Sequence, residues 1–397
     1  MTPTPAQSSV SSDPPLANTA RRYDLDWLRI GAILILLFYH TGMIYVSWGW
    51  HIKSTEHSQP MEEVMRWLHR WRMPLLFFIS GGGTWFALRK RTYGRYAGER
   101  FRRLFIPLVF GMFVVVPPQI YIEWLFRGRF AGSYLDFYPE VFRFQSYRDG
   151  GQGGAFSWHH LWFICYLFFY SVLSIPVFRW LKTDAGQRTT DRLARLLSRP
   201  GGALALVVPL WLNDLALGGF FPNETHALID DWAYFMKNLL LFWYGYVLVS
   251  RVAFWQLLTD QRRIFLAATV VCTVVLYGWR ALQTDEAIEA SALTRTLYSV
   301  NSIALTWFSV LATVGYGYRY LNVNKPILPY LTEAVYPFYI LHQTAIVVIG
   351  YWALKTLNLG VWGGFWFISL ASLASCAALY VTLIRPLKPL RVVFGLK

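Results

Sequence analysis

The sequence is poor in charge and in cysteine. Only 15% of its 397 residues are Asp, Glu, Lys or Arg, whereas soluble domains contain about 25%, so an ordinary soluble domain is excluded. The three cysteines, Cys165, Cys272 and Cys376, are far apart and lie in separate apolar runs, which excludes a disulfide framework and a cysteine metal cluster. No HExxH motif is present and the histidines fall on different segments, so we expect no metal site.

No apolar stretch precedes residue 21. Residues 1–20 are rich in Pro, Ser and Thr, a composition typical of disordered chain rather than of a cleaved signal peptide. We therefore expect a disordered cytoplasmic tail at 1–20, a membrane domain at 21–385 and a short basic cytoplasmic tail at 386–397.

Long apolar runs fill most of the remaining chain. Hydrophobic residues make up 55% of the sequence and Trp, Tyr and Phe 18%, as in proteins with aromatic belts at the membrane interfaces. Because about 20 apolar residues can cross a bilayer as a helix, the pattern predicts an all-α polytopic membrane protein with about ten transmembrane helices. The predicted spans are 30–50, 73–89, 104–126 (kinked or interrupted at Pro117-Pro118), 161–181, 202–221, 232–250, 264–280, 297–318, 334–354 and 361–384.

The net charge of +15 is unevenly distributed. Basic residues concentrate in alternate loops and acidic residues in the others, which predicts that both termini are cytoplasmic and removes the need for a nucleic-acid partner. The most basic segment is 89–103, RKRTYGRYAGERFRR. One interpretation is contact with anionic membrane lipids. The other is a dock, including Arg102 and Arg103, for the phosphates of a nucleotide such as coenzyme A.

The first predicted helix contains Arg29, ten uncharged residues, and then His40. At about 1.5 Å per residue, His40 lies about 16 Å beyond Arg29, near the membrane midplane. An ionisable side chain at that depth usually faces a protein interior or a wet cavity, and histidine is suited to general-base catalysis. Arg29 either forms an interfacial ion pair with Asp26, three residues earlier, or binds phosphate.

Five other polar or aromatic residues have a structural and a functional interpretation. Arg72 either snorkels at a helix end or binds an acceptor or a carboxylate. Ser80 begins the segment SGGG, which permits close helix packing or close approach of a substrate to the backbone. His160 and Trp162 either anchor the fourth span at the interface or bind sugar. His342, near the midplane of the ninth span, is either a partner of His40 or an acceptor contact.

Five stretches occur in an order that matches a known family. They are RYDLDWLRIGAILILLFYH at 22–40, RMPLLFFISGGG at 72–83, ERFRRLFIP at 99–107, HHLWFICYLF at 159–168 and EAVYPFYILHQTAIV at 333–347. Together they resemble the acyltransferase 3 family of integral membrane O-acyltransferases. Within that family, HTGMIYVSWGWHIKS and YPFYILHQ look most like the branch of OpgC-type periplasmic-glucan succinyltransferases.

This resemblance implies transfer of a succinyl or acetyl group, in a bacterial inner membrane, from cytoplasmic acyl-CoA to a hydroxyl of a periplasmic or surface glycan. It implies catalytic roles for His40 and Arg29. It also implies substrate contacts for Arg72, Ser80, His160, Trp162 and His342. Acyl-CoA is then a donor substrate, and no tightly bound cofactor is expected.

Two other classes of membrane protein are compatible with parts of the pattern. A transporter or flippase for an anionic substrate also places histidine, arginine and broken helices at the midplane, and it often contains inverted repeats. No internal repeat is visible in this sequence. A non-catalytic membrane sensor leaves the spacing of Arg29 and His40 without an explanation.

Overall fold

Helices form almost all of the described chain, which comprises residues 21–148 and 152–397 of a computed structural model. The named strands, β1 (Tyr147–Arg148) and β2 (Gln152–Gly153), contain two residues each and pair antiparallel. The predicted all-α class is confirmed. The predicted tail at 1–20 lies outside the described residues.

The α-helices are, in chain order, α1 (Tyr23–Gly42), α2 (Gln59–Arg89), α3 (Tyr93–Arg100), α4 (Ile106–Phe110), α5 (Pro117–Phe126), α6 (Tyr134–Phe137), α7 (Trp162–Leu173), α8 (Ile175–Leu181), α9 (Asp184–Leu197), α10 (Val207–Leu217), α11 (Trp232–Val249), α12 (Val252–Asp260), α13 (Arg262–Leu282), α14 (Asp285–Ala290), α15 (Ala292–Leu321), α16 (Leu328–Thr356), α17 (Gly360–Leu379) and α18 (Lys388–Val393). The π-helical segments are Phe101–Phe105, Gly111–Val115 and Tyr380–Ile384. The 3₁₀ turns are Tyr138–Arg143, His159–Leu161 and Gly202–Leu206.

Within the described residues, six helices are long and apolar enough to cross a membrane, and two bent helix pairs raise the number to eight. The bent pairs are α7 with α8, at 48°, and α11 with α12, at 104°. The polytopic architecture is therefore confirmed, and by length and composition six to eight of the about ten predicted spans qualify within the described residues. The predicted span at 73–89 belongs to α2, whose glycines and flanking charges lower its mean hydropathy. The predicted span at 202–221 corresponds to the helix Gly202–Leu217, which is shorter than the length required of a candidate span.

The first helix occupies the centre of the bundle. α1 packs against α2, α15, α16 and α17, and its apolar side chains Leu25, Ile33 and Leu36 are buried. Residues 23–42 contain no proline, and Gly31 and Gly42 are their only glycines, so few positions oppose helix formation. α1 thus places His40 in its last turn among four neighbouring helices.

α1 ends at Gly42, eight residues before the predicted end of the first span. Residues 43–58 form an irregular loop in which residues 43–46, His51 and Ile52 are buried. At membrane depth such backbone is tolerated only where protein covers it or where it lines a water-filled cavity. Lys53 makes this possible because its Nζ donates to the carbonyls of Met43 and Trp48, each at 2.9 Å, and to that of Val46. An apolar run alone cannot distinguish such a lysine-supported loop from continued helix.

Of the predicted kink or interruption at Pro117-Pro118, the structure excludes the interruption and shows a wider helical turn just before the prolines. The helix continues from Tyr93 to Phe126, and the Val116 N–H donates to the Gly111 carbonyl, five residues earlier, at 2.8 Å. A π-helical turn leaves room for a proline that lacks an N–H donor. The chain therefore passes the two prolines without leaving the helix.

Glycines set the closest helix crossing that positions the site. A Cβ added to Gly81 in α2 would collide with the backbone carbonyl of Phe242 in α11, and one added to Gly245 would collide with that of Phe78. The contact is reciprocal, so both glycines are required for the two backbones to approach. This supports the packing interpretation of the SGGG segment for Gly81.

Candidate active site

His40 and His342 form the centre of the candidate site. His40 lies in the last turn of α1, and His342 lies near the middle of the 29-residue helix α16. The His40 Nδ1 and His342 Nε2 atoms are 2.8 Å apart, and the rings are nearly parallel at 7°. The structure therefore joins the two midplane histidines of the sequence analysis in one hydrogen bond.

Hydrogen bonding assigns the protons of this pair. His342 Nδ1 lies 2.7 Å from the carbonyl oxygen of Tyr339, and because a carbonyl can only accept, Nδ1 must carry a proton. In the neutral ring, Nε2 of His342 is then an acceptor, so His40 Nδ1 donates to it. The remaining nitrogen of His40, Nε2, carries an unshared lone pair and can act as a base.

His160 supports this pair from the side. Its Nε2 lies 2.9 Å from the Ile340 carbonyl, and its ring centroid is 5.3 Å from that of His342. Its Nδ1 is 3.5 Å from Gln119 Nε2. Both ring nitrogens of this buried histidine therefore have protein neighbours, which favours a supporting position over a direct acceptor contact.

Arg72 lies beside His40 without a carboxylate partner. Its guanidinium carbon lies 3.4 Å from the ring centroid of Tyr39, the residue before His40, and its Nη1 is 3.3 Å from His69 Nδ1. Arg72 is 6% exposed and its Nε lacks a hydrogen-bond partner. Among the residues that the structure describes, no carboxylate lies within ion-pair distance of it. A buried cation in this state is costly unless an anion joins it.

A second set of polar and aromatic side chains continues from Arg72. We call it the Glu224 cluster, and it comprises His69, Arg72, Trp162, Glu224 and His226. His69 Nε2 lies 3.3 Å from a Glu224 oxygen, and Trp162 stacks on His226 with ring centroids 4.2 Å apart. Aromatic faces beside charged groups are chemically suited to a sugar.

Two members of this cluster, on the loop between α10 and α11, have shifted acidities. Burial alone would raise the pKa of Glu224, but the Lys237 charge and the hydrogen bond from His69 outweigh it and hold this pKa well below its usual range. Burial lowers the pKa of His226 to about 4, against the opposing effect of Glu224. At neutral pH the loop therefore presents a carboxylate and an uncharged imidazole.

A basic cavity approaches the histidine pair from the other end of α1. It has a volume of about 800 Å³, within the range of about 300–1,000 Å³ for small-molecule sites. Eight basic and two acidic side chains line it: Arg21, Arg22, Arg29, Arg89, Lys90, Arg91, Arg100, Arg103, Asp26 and Glu99. Its apolar part includes Ile33, Leu76, Phe163 and Tyr339. Because His342 donates to the Tyr339 carbonyl, the cavity reaches the residue next to the pair.

Comparison with known proteins assigns the family. The sequence profile described as an acyltransferase domain, acyltransferase 3, matches residues 22–381. The chain belongs to the acyltransferase 3 family. Proteins named glucans biosynthesis protein C from Salmonella paratyphi B, Salmonella dublin and Salmonella enteritidis PT4 are each 22% identical over 347 residues, covering 83% of either chain. No solved structure matches the chain.

In this acyltransferase, the two residues predicted to be catalytic, His40 and Arg29, lie apart from each other. His40 contacts His342, whereas Arg29 lies about three helical turns away in the basic cavity, where its Nη1 is 3.5 Å from an Asp26 oxygen. Arg29 is thus placed to contact a molecule in the cavity rather than His40. The Asp26 ion pair and the cavity position occur together, so the two interpretations of Arg29 are compatible.

The basic segment of the acyltransferase divides between cavity and exterior. Arg103 lines the cavity and donates from Nε to the Gly395 carbonyl at 3.2 Å. Arg102 is exposed and is not a lining residue, while Arg100 takes that position. Helical geometry explains why Arg100 lines the cavity and Arg102 does not, because side chains two positions apart on a helix point in different directions. Ser80 and Gly83 also line the cavity, whereas Gly81 packs on α11.

Five residues near the His40–His342 pair were not predicted from the sequence as functional. They are His51, Glu123, His69, Glu224 and His226. Glu123 had a usable signal, because it is the one charged side chain between Leu104 and Phe126 and ionisable residues in apolar spans usually serve a function. His226 and Glu224 lie in a polar loop, where charged residues are ordinary, so only the fold associates them with Arg72.

Proposed function

We propose that this acyltransferase transfers an acyl group from acyl-CoA, on the cytoplasmic side of a bacterial inner membrane, to a hydroxyl of a periplasmic glucan. Succinyl is our first choice of acyl group and acetyl our second. The observation that carries the proposal is the position of the His40–His342 pair between the basic cavity and the Glu224 cluster. The names of the Salmonella relatives support glucan as the acceptor class.

The basic cavity is our donor site. Coenzyme A carries several phosphate groups, and clustered arginines bind phosphate through paired hydrogen bonds. Arg29, Arg100 and Arg103 supply this chemistry at the polar end. The apolar end, which reaches Tyr339, suits the pantetheine arm and the thioester. The positive charge of this face also supports its cytoplasmic location, with both chain termini on the same side.

His40 is our general base. The glucan hydroxyl oxygen attacks the thioester carbonyl carbon while its proton moves to Nε2 of His40. The tetrahedral intermediate then collapses, the carbon–sulfur bond breaks, and the coenzyme A thiolate takes the proton back from His40. His342 and the Tyr339 carbonyl hold the His40 tautomer that this step needs. Proton transfer of this kind contributes about 10²–10⁴-fold to rate.

Arg72 favours succinyl over acetyl. A succinyl group ends in a carboxylate, and an acetyl group does not. Arg72 is buried beside Tyr39 with an unpartnered Nε, so a carboxylate there would supply the missing partner through a charge-assisted hydrogen bond. The other members of the Glu224 cluster, above all Trp162 stacked on His226, would then face the sugar.

Coenzyme A release by the purified protein tests the proposal. Protein in detergent receives succinyl-CoA or acetyl-CoA, with and without periplasmic glucan, and free thiol is measured. We expect release that depends on glucan, is faster with succinyl-CoA, and is lost in His40→Ala. The matched control is His57→Ala, since His57 is an exposed histidine of the loop after α1. Glucan-independent release, or full activity of His40→Ala, would contradict the proposal, and no release from either donor would favour a transporter.

A further inference from the structure

A second cluster of chemically active side chains lies beyond the histidine pair. His51 comes from the buried loop 43–58, Glu123 from α5, and His159 from the turn before α7. One donor atom from each of the three residues lies within 4.8 Å of the other two. His51 is 7% exposed and Glu123 is fully buried, and their Nδ1 and Oε2 atoms are 2.6 Å apart. Three segments distant in sequence therefore meet at two imidazoles and one carboxylate.

His159 is the member that protein contacts leave unexplained. Both of its ring nitrogens are buried and neither has a hydrogen-bond partner. Its backbone φ is +41°, in the left-handed region that few residues other than glycine adopt. A buried polar group without a partner costs about 1–3 kcal/mol, and such a group is commonly explained by an ion or water. Stacking on His51, with ring centroids 4.9 Å apart, does not satisfy its nitrogens.

The surroundings are those of oriented ligands. Glu123 Oε1 accepts from Arg127 Nε at 2.9 Å, and Oε2 accepts from the Tyr147 hydroxyl at 2.9 Å. The second nitrogen of His51, Nε2, lies 3.0 Å from Gln343 Nε2, which also donates to Gln119 Oε1 at 3.1 Å. Metal-binding histidines and carboxylates usually have such outer hydrogen bonds.

We propose that His51, Glu123 and His159 bind a divalent transition metal ion of the zinc class. Two imidazoles and one carboxylate form a donor set that zinc accepts, with a fourth position left for water or another ligand. Nitrogen donors disfavour calcium and magnesium, which take oxygen ligands. The 2.6 Å contact between His51 Nδ1 and Glu123 Oε2 would widen on binding, so that each atom lies about 2.0–2.2 Å from the ion.

The ion would fasten three segments over the His40–His342 pair. Trp50, directly before His51, faces the His40 ring with centroids 6.3 Å apart, and Gln343 directly follows His342. A cation that fixes His51 therefore also fixes the wall of the reaction centre. The role assigned here is positional, and it holds whichever acyl group and acceptor the enzyme uses.

Metal content tests this site independently of activity. Protein purified in detergent is stripped with chelator, incubated with zinc sulfate, desalted, and analysed by inductively coupled plasma mass spectrometry. We expect about one zinc ion per chain for the wild type, since three protein ligands complete one site, and the same for His57→Ala. His159→Ala, which removes a side chain whose nitrogens have no protein partner, should retain none.

Thermal unfolding supplies the second readout. Zinc should raise Tm for the wild type and for His57→Ala, because a ligand that binds only the folded state stabilises it, and should leave Tm of His159→Ala unchanged. A wild type that retains no zinc and shows no shift would overturn the proposal and reduce His51–Glu123 to a structural ion pair. Equal zinc content in His159→Ala would overturn the assignment as well. If His159→Ala does not fold, Glu123→Gln, which keeps the side-chain volume, replaces it.

Discussion

At the scale of residues, His342 decides which nitrogen of His40 is free to accept a proton. The Tyr339 carbonyl fixes the proton of His342 on Nδ1, and the 2.8 Å contact then fixes that of His40 on its own Nδ1. Neither ring needs a charge for this arrangement. His342 therefore positions the base, and it makes no contact with the thioester in this mechanism.

His342→Phe should lower kcat by about 10²-fold or more, since general-base catalysis contributes about 10²–10⁴-fold. The phenyl ring fills the space but offers no acceptor for His40 Nδ1. KM for acyl-CoA should change little, because the basic residues of the donor cavity remain. Steady-state kinetics with donor titration measures both constants. A kcat within twofold of wild type would show that His342 does not orient His40.

Arg72→Met should change the preference between acyl groups. A hydrogen bond to a charged group is worth about 1.5–3 kcal/mol, so kcat/KM for succinyl-CoA should fall by roughly 10- to 100-fold. The value for acetyl-CoA should stay within a few-fold, because that acyl group has no carboxylate. Competition between the two donors, with products separated by mass spectrometry, measures the ratio. An equal loss for both donors would assign Arg72 to the acceptor or to the fold.

The sequence predicted individual residues unevenly, for physical reasons. His40 and His342 were found because a titratable group in an apolar run is costly and therefore informative. Arg103 lines the basic cavity and Arg102 does not, a difference that depends on the orientation of each side chain on its helix and that the basic run alone cannot predict. Arg72 contacts Tyr39 of α1 and His69 of its own helix, and His69 in turn contacts Glu224 on a distant loop, an arrangement that no local pattern encodes.

At the scale of elements, the crossing of α2 and α11 holds the cavity wall in place. Gly81 and Gly245 let the two backbones touch, while Gly83, two residues further along α2, faces the cavity with Arg29 Nη2 3.7 Å from its added Cβ. The two interpretations of this glycine segment are therefore compatible. Gly81 packs against α11, whereas Ser80 and Gly83 line the basic cavity.

Gly81→Ala should destabilise the protein, since inserting a methyl group into a packed contact costs about 1–3 kcal/mol and here it meets backbone. Gly83→Ala is the matched control, because its Cβ makes an ordinary contact with a flexible arginine. Thermal unfolding in detergent should show a lower Tm for Gly81→Ala only. Gly83→Ala should instead raise KM for acyl-CoA. The crossing would lose its assigned importance if Gly81→Ala unfolded at the wild-type temperature.

The loop 43–58 shows what hydropathy cannot predict at this scale. Its first eight residues, 43–50, are largely apolar like the helix before them, so the first span was predicted to continue to residue 50. The backbone instead leaves the helix at Gly42 because Lys53, further along the chain, satisfies three carbonyl groups. Hydropathy measures burial, and both a helix and a covered loop are buried.

At the scale of the whole molecule, three sites follow one another across the helix bundle. The Glu224 cluster lies at one end, the histidine pair follows, and the basic cavity lies at the other end. In the proposed mechanism, an acyl group would move from one side of this arrangement to the other, while coenzyme A and glucan each stay on their own side. The distribution of basic residues in the sequence predicts that the side with the basic cavity is cytoplasmic.

Accessibility of single cysteines tests this orientation. The three native cysteines are buried, and they are replaced first so that no native thiol can react. Thr55→Cys and Arg95→Cys then each place one thiol at an exposed position, at opposite ends of the molecule. In intact cells with a permeable outer membrane, an impermeant maleimide should label position 55 and not position 95. Labelling at 95 alone would invert the topology and remove the cytoplasmic donor from the account.

The most direct measurement is mass spectrometry of periplasmic glucans from cells that carry the wild type, His40→Ala or His57→Ala, with equal protein amounts shown by immunoblot. The account predicts succinylated glucans in the wild type and in His57→Ala, and unmodified glucans in His40→Ala. The acyl mass also identifies the donor. Glucans with unchanged acylation in His40→Ala would contradict the central claim, because a base that can be removed without effect does not carry the reaction.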